Sequence, residues 1–313
     1  MTTTVLPLGI AAALPTTDRH LSAVALEREG RLLLFDCGEG TQLRFLDVGL
    51  SRARIDAIFI THLHGDHWFG LPGLLSSMAL QQRTDPVTLV GPAGLDRRLQ
   101  AIGVLDGLPF EVTRVMLPPD TPPEVVYATD GFTVRTAPLD HRIPTHGYRF
   151  QERTRRGRFD PEAARALGVT DPRDFGRLAD GIPVSTDDGR TVQPDDVLGP
   201  DREGIGVAYV TDTQPCDGGR ALADGADLLY HDATFADAHA DRARATGHST
   251  AREAATIACE AQCQRLLLGH ISARYTRTDA LLQDAQAVFP DSDVAQEGHR
   301  YVLDPRDTWD ASR

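Results

Sequence analysis

Short apolar runs alternate with amphipathic stretches along the whole chain. Each run is rich in Val, Ile, Leu or Phe and is bounded by turn-forming residues, which is typical of a buried β-strand. The runs at Leu21–Leu26 and Arg31–Phe35 flank a Glu-Arg-Glu-Gly turn and predict a β-hairpin. The other predicted strands are Ala57–Ile60, Val87–Val90, Val125–Ala128, Phe132–Thr136, Gly206–Val210, Asp227–Tyr230 and Arg265–Leu268.

The amphipathic stretches between these runs predict helices. Ser249 and Thr250 precede one of them as candidate N-cap residues, and Glu253 can complete a capping box. The predicted helices are Gly70–Arg83, Ala93–Ile102, Thr250–Cys263 and Thr278–Val288. Because strands and helices alternate from end to end, we predict an α/β fold built in layers.

The segment from Gln151 to about Gly204 departs from this alternation, because Pro, Gly, Asp and Arg replace the apolar runs. Asp160 as N-cap before a proline predicts one short helix there, Pro161–Leu167. The segment also contains a cluster of arginines: Arg153, Arg155, Arg156 and Arg158. We interpret 151–204 as a protruding insertion. Most clusters of this kind are only a solvated surface, and that interpretation stays open.

Composition excludes several classes of protein. A hydrophobic share of 41% and a charged share of 25% are ordinary for a globular chain and exclude disordered and fibrous proteins. The apolar runs fall far short of the roughly 20 residues of a membrane helix. The first residues lack the basic start and cleavage site of a signal peptide, so we expect a cytoplasmic protein. A net charge of −13 argues that any binding of nucleic acid must be local.

The strongest chemical signal is the sequence Thr-His-Leu-His-Gly-Asp-His at residues 61–67, directly after a predicted strand. Side chains two apart on an extended strand end point to the same side, so His62 and His64 can hold one cation. The glycine that follows lets the chain turn and carries Asp66 and His67 to a neighbouring position. A carboxylate and an imidazole can begin a second metal site there.

This pattern resembles the metal-binding motif of the metallo-β-lactamase superfamily, and its continuation at Trp68–Leu75 resembles the ribonuclease Z family of tRNA 3′-processing endonucleases. Other segments match the family in the family's order. They are Leu8–Gly9, Pro15–Thr16, Phe35–Gln42, His141, Gly147–Arg149, Tyr209–Thr213, His231–Phe235, Gly247–Thr250 and Gly269–Tyr275. The similarity therefore extends over nearly the whole chain.

The resemblance implies a metallo-β-lactamase αβ/βα four-layer sandwich, a single domain over residues 1–313 with a tRNA-binding arm inserted at 151–204. It also implies an endoribonuclease that removes 3′ trailers from precursor tRNA and leaves a tRNA 3′-hydroxyl. The family usually acts as a homodimer, in which the arm of one subunit presents tRNA to the cleft of the other. Phosphate contacts by the four clustered arginines would make binding salt-dependent.

The resemblance further implies two Zn²⁺ ions per subunit. The implied ligands are His62, His64 and His141 for one ion, Asp66, His67 and His270 for the other, and Asp212 as a bridge between them. His146 lies five residues after His141 and is its rival for the third position. The spacing of Leu139-Asp140-His141 matches the family better.

Roles in catalysis follow from the same resemblance. Two zinc ions can lower the pKa of a shared water to near neutrality and give a hydroxide for attack on the phosphodiester. Asp66 would accept a proton, His248 would protonate the departing 3′ oxygen, and Arg274 would pair with a substrate phosphate. On sequence alone, a surface histidine before a helix is a serious alternative for His248. Asp232 stands where the family usually has glutamate, and its shorter side chain leaves open whether it reaches His248.

Two other functions remain possible on the sequence alone. A small-molecule zinc phosphodiesterase or ester hydrolase would share the metal ligands but would have no use for the arginine-rich arm. A non-catalytic tRNA-binding subunit would keep the arm and lose metal ligands. The intact set of seven ligands argues against the second alternative.

Overall fold

The computed structural model describes residues 2–304 of the chain. The ends of the predicted single domain, residue 1 and residues 305–313, lie outside the described residues. The described chain forms two compact units, one from residues 2–151 with 206–304 and the other from Glu152–Ile205. The second unit coincides, to within one residue at either end, with the range 151–204 that the sequence sets apart.

The strands and helices of the described residues are numbered in chain order. The strands are β1 (Thr3–Gly9), β2 (Ala11–Ala12), β3 (Ala23–Arg28), β4 (Arg31–Phe35), β5 (Ile55–Phe59), β6 (Val87–Pro92), β7 (Val112–Leu117), β8 (Glu124–Ala128), β9 (Phe132–Leu139), β10 (Thr145–Glu152), β11 (Val184–Ser185), β12 (Thr191–Val192), β13 (Gly206–Val210), β14 (Leu228–Asp232), β15 (Leu266–Gly269), β16 (Ile271–Ser272), β17 (Ser292–Val294) and β18 (Tyr301–Leu303). The helices are α1 (Thr41–Asp47), α2 (Gly65–Trp68), α3 (Leu71–Leu80), α4 (Leu95–Ala101), α5 (Pro161–Ala166), α6 (Pro172–Ala179), α7 (Asp217–Ala223), α8 (Ala240–Thr246), α9 (Ala251–Glu260) and α10 (Asp279–Gln286).

One seven-stranded sheet has the order β18-β1-β3-β4-β5-β6-β7. Its strands pair antiparallel from β18 to β4 and parallel from β4 to β7. The predicted hairpin is confirmed as β3 and β4, joined at Glu29 and Gly30, which have φ angles of 49° and 84°. Positive φ at both turn positions matches the right-handed twist of the flanking strands.

A second seven-stranded sheet has the order β17-β15-β14-β13-β10-β9-β8, with parallel pairing from β13 to β17. Every residue of β13, β14 and β15 is buried, because parallel strands are covered on both faces. The two sheets face each other through aromatic rings. Phe35 and Phe59 of the first sheet meet Tyr148 and Tyr209 of the second, with ring centroids 5.3–6.2 Å apart.

Helices cover the outer faces of both sheets. Leu71, Leu74 and Leu75 of α3 share one apolar cluster with β4 and β5 of the first sheet. Helices α7, α9 and α10 pack on the second sheet. The order of layers is helix, sheet, sheet, helix, which confirms the predicted αβ/βα sandwich. No helix in residues 2–304 has the length and apolar character needed to cross a bilayer.

The predicted strands and helices all correspond to observed elements, with ends displaced by a few residues. The predicted helix Gly70–Arg83 is shorter, because α3 ends at Leu80. Sequence reasoning missed the strands β1, β2, β7, β10, β11, β12, β16, β17 and β18. The reason is clear for β10, whose residues Thr-His-Gly-Tyr-Arg-Phe-Gln-Glu form no apolar run, although most of them are buried against neighbouring strands.

The unit Glu152–Ile205 has a small core of its own. Its buried apolar residues are Ala164, Val169, Leu178, Val184, Val192 and Val197. Four of them come from α5, α6 and the hairpin of β11 and β12, and Val169 and Val197 lie in the connecting segments. The predicted short helix is confirmed as α5, and the Asp160 carboxylate accepts hydrogen bonds from two backbone amides at its start. The second helix, α6, was not predicted.

The capping box at the start of α9 generates a stability prediction. The Thr250 hydroxyl accepts a hydrogen bond from the Glu253 amide at 3.2 Å, and the Glu253 carboxylate accepts one from the Thr250 amide at 2.8 Å. Thr250→Ala should lower the free energy of unfolding by about 1 kcal/mol or more, because it leaves a helix amide without a partner. Urea unfolding followed by circular dichroism measures this change. Thr256→Ala within α9 is the control and should cost less, so equal losses in the two variants would contradict the prediction.

Candidate metal centre

The candidate metal ligands lie at the ends of strands. His62 and His64 follow β5, and Asp66 and His67 lie on the short helix α2 that comes next. The other three are His141 after β9, Asp212 after β13 and His270 after β15. The carboxyl ends of parallel strands in an α/β sheet are where binding sites gather. The fold thus brings the seven predicted ligands together from both sheets.

One group of side chains surrounds His64. His64 Nδ1 lies 3.0 Å from His62 Nε2 and 3.4 Å from His141 Nε2. Asp212 Oδ2 lies 3.4 Å from His62 Nε2 and 3.9 Å from His141 Nε2. Three imidazole nitrogens and one carboxylate oxygen therefore converge on one point, a set suited to a tetrahedral cation.

A second group forms on the other oxygen of Asp212. Asp212 Oδ1 lies 3.0 Å from His270 Nε2 and 3.3 Å from His67 Nε2. Asp66 Oδ2 lies 3.7 Å and 3.4 Å from the same two nitrogens. Asp212 thus presents one carboxylate oxygen to each group, which is the arrangement that a bridging ligand needs.

The donor atoms fit a divalent cation. The Nε2 atoms of His67 and His270 are buried and, within the described residues, have no hydrogen-bond partner. Buried polar atoms are almost always satisfied, so two orphaned nitrogens that face carboxylate oxygens point to an ion between them. Imidazole and carboxylate ligands suit Zn²⁺ among the common divalent ions.

Four of the five ligand imidazoles have a second partner on the ring nitrogen that does not face the other ligands. His67 Nδ1 lies 2.7 Å from Asp36 Oδ2, and His270 Nδ1 lies 2.9 Å from Thr234 Oγ1. His62 Nδ1 lies 2.9 Å from Thr61 Oγ1, and His141 Nδ1 lies 2.7 Å from the Gly247 carbonyl. Such contacts fix the ring orientation and leave the other nitrogen for the metal.

Asp36 is a residue whose role the sequence interpretation missed, because it took the segment after β4 only as a turn into a helix. Its carboxylate is fully buried and accepts hydrogen bonds from the Thr61 amide and hydroxyl and from the Tyr209 hydroxyl, besides contacting His67. The signal in the sequence was an acidic residue directly after the apolar run Leu32–Phe35. Burial of a charge requires such a set of partners.

Three residues of the site have left-handed backbone conformations. The φ angles of Asp36, Asp212 and His270 are 56°, 49° and 55°. Residues with side chains adopt this region rarely and at an energetic cost, which the surrounding contacts must offset. The conformation turns each side chain into the site at the point where its strand ends.

Burial and charge together set the protonation of the ligands. Burial lowers the pKa of His62 to about 4, so its ring is neutral at pH 7. Burial opposes ionisation of Asp212, yet the nearby His270, His67 and His62 outweigh it and hold the pKa of Asp212 well below its usual range. Burial likewise disfavours protonated His270, but Asp212 and Asp66 raise its pKa to about 10. A cation that binds here must therefore displace a proton from His270.

His248 lies beside the two groups and lines the cleft. Its Nδ1 lies 2.9 Å from Asp232 Oδ2, so the shorter aspartate does reach it. Asp232 is fully buried and also accepts hydrogen bonds from the amides of Thr213 and Thr234. This carboxylate therefore orients His248 and leaves its Nε2 as the nitrogen that can carry a proton to a ligand.

The cleft over the site has a volume of about 440 Å³ and an arginine-rich lining. Arg274 lines it as predicted, with its guanidinium carbon 4.9 Å from the centre of the Phe235 ring. Arg142 and Arg242 also line it, and neither was predicted. Arg142 could have been found from its place next to His141, whereas Arg242 on α8 carries no motif. Three cations at one cleft of an acidic protein favour an anionic ligand.

The arm arginines belong to the other unit. Arg155 lies in an ion pair with Glu152, with 2.9 Å between the guanidinium and the carboxylate. Arg153, Arg156 and Arg158 are exposed. Their roles stay predictions.

His146, the rival of His141, lies apart from the metal-ligand groups. It is fully buried on β10, and both ring nitrogens lack hydrogen-bond partners within the described residues. Burial lowers its pKa to about 4. The histidine that faces the other ligands is His141.

A conservative change at Asp36 tests whether its contact with His67 strengthens metal binding. Asp36→Asn should weaken Zn²⁺ binding by about 10- to 100-fold, because it weakens the partner that orients His67 without removing a ligand. Competition with a chromogenic chelator measures the affinity. Asp56→Asn, on β5 and paired with Arg31 at 2.8 Å, is the matched control and should leave the affinity unchanged. Equal affinities in the Asp36 variant and the parent protein would show that Asp36 does not strengthen metal binding through His67.

His146 generates a prediction on pH. A histidine with a lowered pKa in the folded protein binds its proton mainly on unfolding, so the free energy of unfolding falls as pH falls from about 6.5 towards 4. His146→Phe should make this dependence shallower and cost little at pH 7, since the ring makes no hydrogen bond. Urea unfolding at several pH values measures it. His299→Phe, at an exposed histidine, is the control and should keep the slope of the parent protein. If His146→Phe also kept this slope, His146 would not be a source of the pH dependence.

Named relatives are similar to this chain over almost its whole length. Ribonuclease Z of Salinibacter ruber is 60% identical over 306 residues, which cover 97% of this chain and 95% of the relative. Ribonuclease Z of Methanothermobacter thermautotrophicus is 41% identical over 292 residues, or 93% of each chain. The family described as Anti-Pycsar protein Apyc1 matches residues 3–107, a much smaller part.

Solved structures agree with these sequence similarities. The crystal structure of human tRNase Z, short form, is similar with a TM-score of 0.69 and 30% identity, covering 96% of this chain and 98% of its own. The metallo-β-lactamase fold protein YhfI of Bacillus subtilis has a TM-score of 0.67 at 18% identity, covering 96% of this chain and 99% of its own, and supports the fold alone. With its ligand groups on a metallo-β-lactamase fold and its similarity to these relatives, the chain belongs to the ribonuclease Z family.

Proposed function

We propose that this protein is a zinc-dependent endoribonuclease that removes 3′ trailers from precursor tRNA and leaves a hydroxyl at the tRNA 3′ end. The observation that carries the proposal is Asp212, which presents one oxygen to each of two ligand groups below an arginine-lined cleft. Membership of the ribonuclease Z family supports the choice of tRNA over other phosphodiesters.

The cofactors of this proposal are two Zn²⁺ ions per subunit. The residues that would hold them are His62, His64 and His141 for one ion, Asp66, His67 and His270 for the other, and Asp212 for both. When bound, such a pair of ions activates water for in-line attack and stabilises negative charge on the phosphate oxygens.

Two residues of this chain transfer protons in the proposed reaction: Asp66 accepts one, and His248, which is oriented by Asp232, donates one. Asp66 Oδ2 accepts a hydrogen bond from the Ala13 amide at 2.9 Å, so its carboxylate is held while it orients the attacking water and accepts a proton. His248 donates a proton from Nε2 to the departing 3′ oxygen. Asp232 stabilises the imidazolium of His248 through Nδ1, as the buried aspartate does in hydrolytic triads.

Arginines bind the RNA backbone in two places. Arg274 pairs with a phosphate at the cleft, and Arg142 and Arg242 add charge on the same lining. The exosite arm at 151–204 binds the body of the tRNA through Arg153, Arg155, Arg156 and Arg158. Arg155 is half-buried and pairs with Glu152, whereas the other three arginines are exposed.

Three parts of the proposal rest on family resemblance. The chain forms a single metallo-β-lactamase-type domain with the arm as its insertion. Two copies form a homodimer, in which one arm presents tRNA to the cleft of the partner subunit. The protein acts in the cytoplasm.

Cleavage of a 3′-extended precursor tRNA by the purified protein tests the function. We expect one chelator-sensitive cut near the discriminator base, which Zn²⁺ restores. Asp66→Ala should abolish it, and His248→Ala should lower kcat by about 100- to 10,000-fold, because a general acid is lost while the backbone-binding arginines remain. Gel electrophoresis of end-labelled RNA measures both.

A small chromogenic phosphodiester serves as the control substrate. Deletion of residues 153–158 should raise KM for precursor tRNA. For the small substrate, both the turnover and its dependence on salt concentration should be unchanged. Intact precursor together with zinc-dependent hydrolysis of the small substrate would support a small-molecule phosphodiesterase instead. Binding of tRNA without hydrolysis of either substrate would support a non-catalytic tRNA-binding subunit.

A further inference from the structure

A second cavity adjoins the active-site cleft. It has a volume of about 360 Å³, and His64 is the residue that lines both cavities. Two consecutive residues also line different cavities: Arg142 lines the cleft, and Ile143 lines the second cavity. An RNA strand that extends from the metal centre past His64 would therefore reach this cavity.

The walls of the second cavity are apolar and well anchored. Pro92 and Leu117 end the neighbouring strands β6 and β7, at the same sheet edge from which the ligand loop after β5 departs. The Ala93 amide donates a hydrogen bond to the Leu117 carbonyl at 2.8 Å, which ties the two strand ends together. Ile143 and Pro144 also line the cavity. Apolar walls of this kind accept a planar ring by stacking.

Charge at the rim suits a nucleotide better than a purely apolar ligand. Arg98 on α4 lines the cavity and is exposed. In the part of the chain that the structure describes, its guanidinium has no carboxylate partner. A cation beside an apolar slot can bind a phosphate while the slot takes the attached base.

The position of His248 decides which nucleotide enters. His248 lines the cleft and does not line the second cavity. The group that protonates the departing 3′ oxygen must lie beside it, and that oxygen belongs to the last nucleotide kept on the tRNA. The tRNA end therefore lies in the cleft, and the trailer continues past His64.

We infer that the cavity between Pro92, Leu117 and Ile143 is a subsite for the base of the first trailer nucleotide. The inference rests on the proposed function. Because the walls offer stacking and few hydrogen-bonding groups, the subsite accepts every base and favours the larger surface of purines.

Kinetics of variants on two precursor tRNAs test the subsite. One precursor is natural, and the other has an abasic residue as its first trailer nucleotide. With the parent protein, loss of this base should lower kcat/KM about tenfold, within the range that stacking of one base contributes. Ala93→Phe, which fills the exposed rim of the cavity, should lower kcat/KM on the natural precursor to a similar extent, mainly through KM. On the abasic precursor Ala93→Phe should match the parent protein, which also shows that the variant is folded.

Two controls separate the possible failures. Ala101→Phe, at an exposed alanine at the end of α4 outside the cavity lining, should behave as the parent protein on both RNAs. Normal cleavage with no effect of either the abasic residue or Ala93→Phe would overturn the subsite and leave the proposed function intact. An Ala93→Phe effect that disappears instead when the last tRNA nucleotide is abasic would overturn the assigned direction of the RNA. Absence of any cleavage by the parent protein would remove the proposed function and this inference with it.

A fluorescence measurement of RNA binding tests the subsite without any need for turnover. Precursor tRNA with 2-aminopurine as the first trailer nucleotide should change its fluorescence on binding to the Asp66→Ala protein, because the base moves from water into a stacked environment. The same change should be absent when Ala93→Phe is added. An unchanged signal in both proteins would contradict occupation of the cavity by this base.

Discussion

The site depends on one buried carboxylate that two sets of imidazoles share. Asp212 is almost wholly buried and lies within 4 Å of His62, His67, His141 and His270. A charge in this environment is stable only when opposite charge or strong hydrogen-bond donors surround it. Asp212 is therefore surrounded by ligands from both sheets, and the raised pKa values of His67 and His270 identify these two rings as the ones that balance its charge.

The fold supplies this convergence through its strand ends. Asp36, Asp212 and His270 each follow a strand and turn in the left-handed region, which aims three side chains at the same volume. Buried partners such as Thr61, Thr234 and Asp232 then fix the orientation of the imidazoles. The parallel strands that lead to this edge, β13 and β15, are buried along their whole length.

The charge distribution reconciles an acidic chain with an RNA substrate. The chain has a net charge of −13, yet Arg142, Arg242 and Arg274 line one cleft and Arg98 lines the neighbouring cavity. Local cations of this kind attract phosphates where the metal site needs them, while the acidic remainder disfavours nonspecific binding. His64 lines both the cleft and the cavity.

The sequence by itself determined the alternation of strands and helices and the motif at residues 61–67, because both are local patterns of side chains. Family resemblance pointed to His141, Asp212, His248 and His270, which no local spacing could relate to the motif. Only the tertiary structure decided that His141 and not His146 faces the other ligands, that Asp232 reaches His248, and that Asp36 and Arg242 belong to the site. These relations depend on the register and the ends of strands distant in sequence, and β10 itself was invisible as a strand because its polar residues are buried only by neighbouring strands. Contacts across two sheets are set by packing, and a one-dimensional pattern does not contain them.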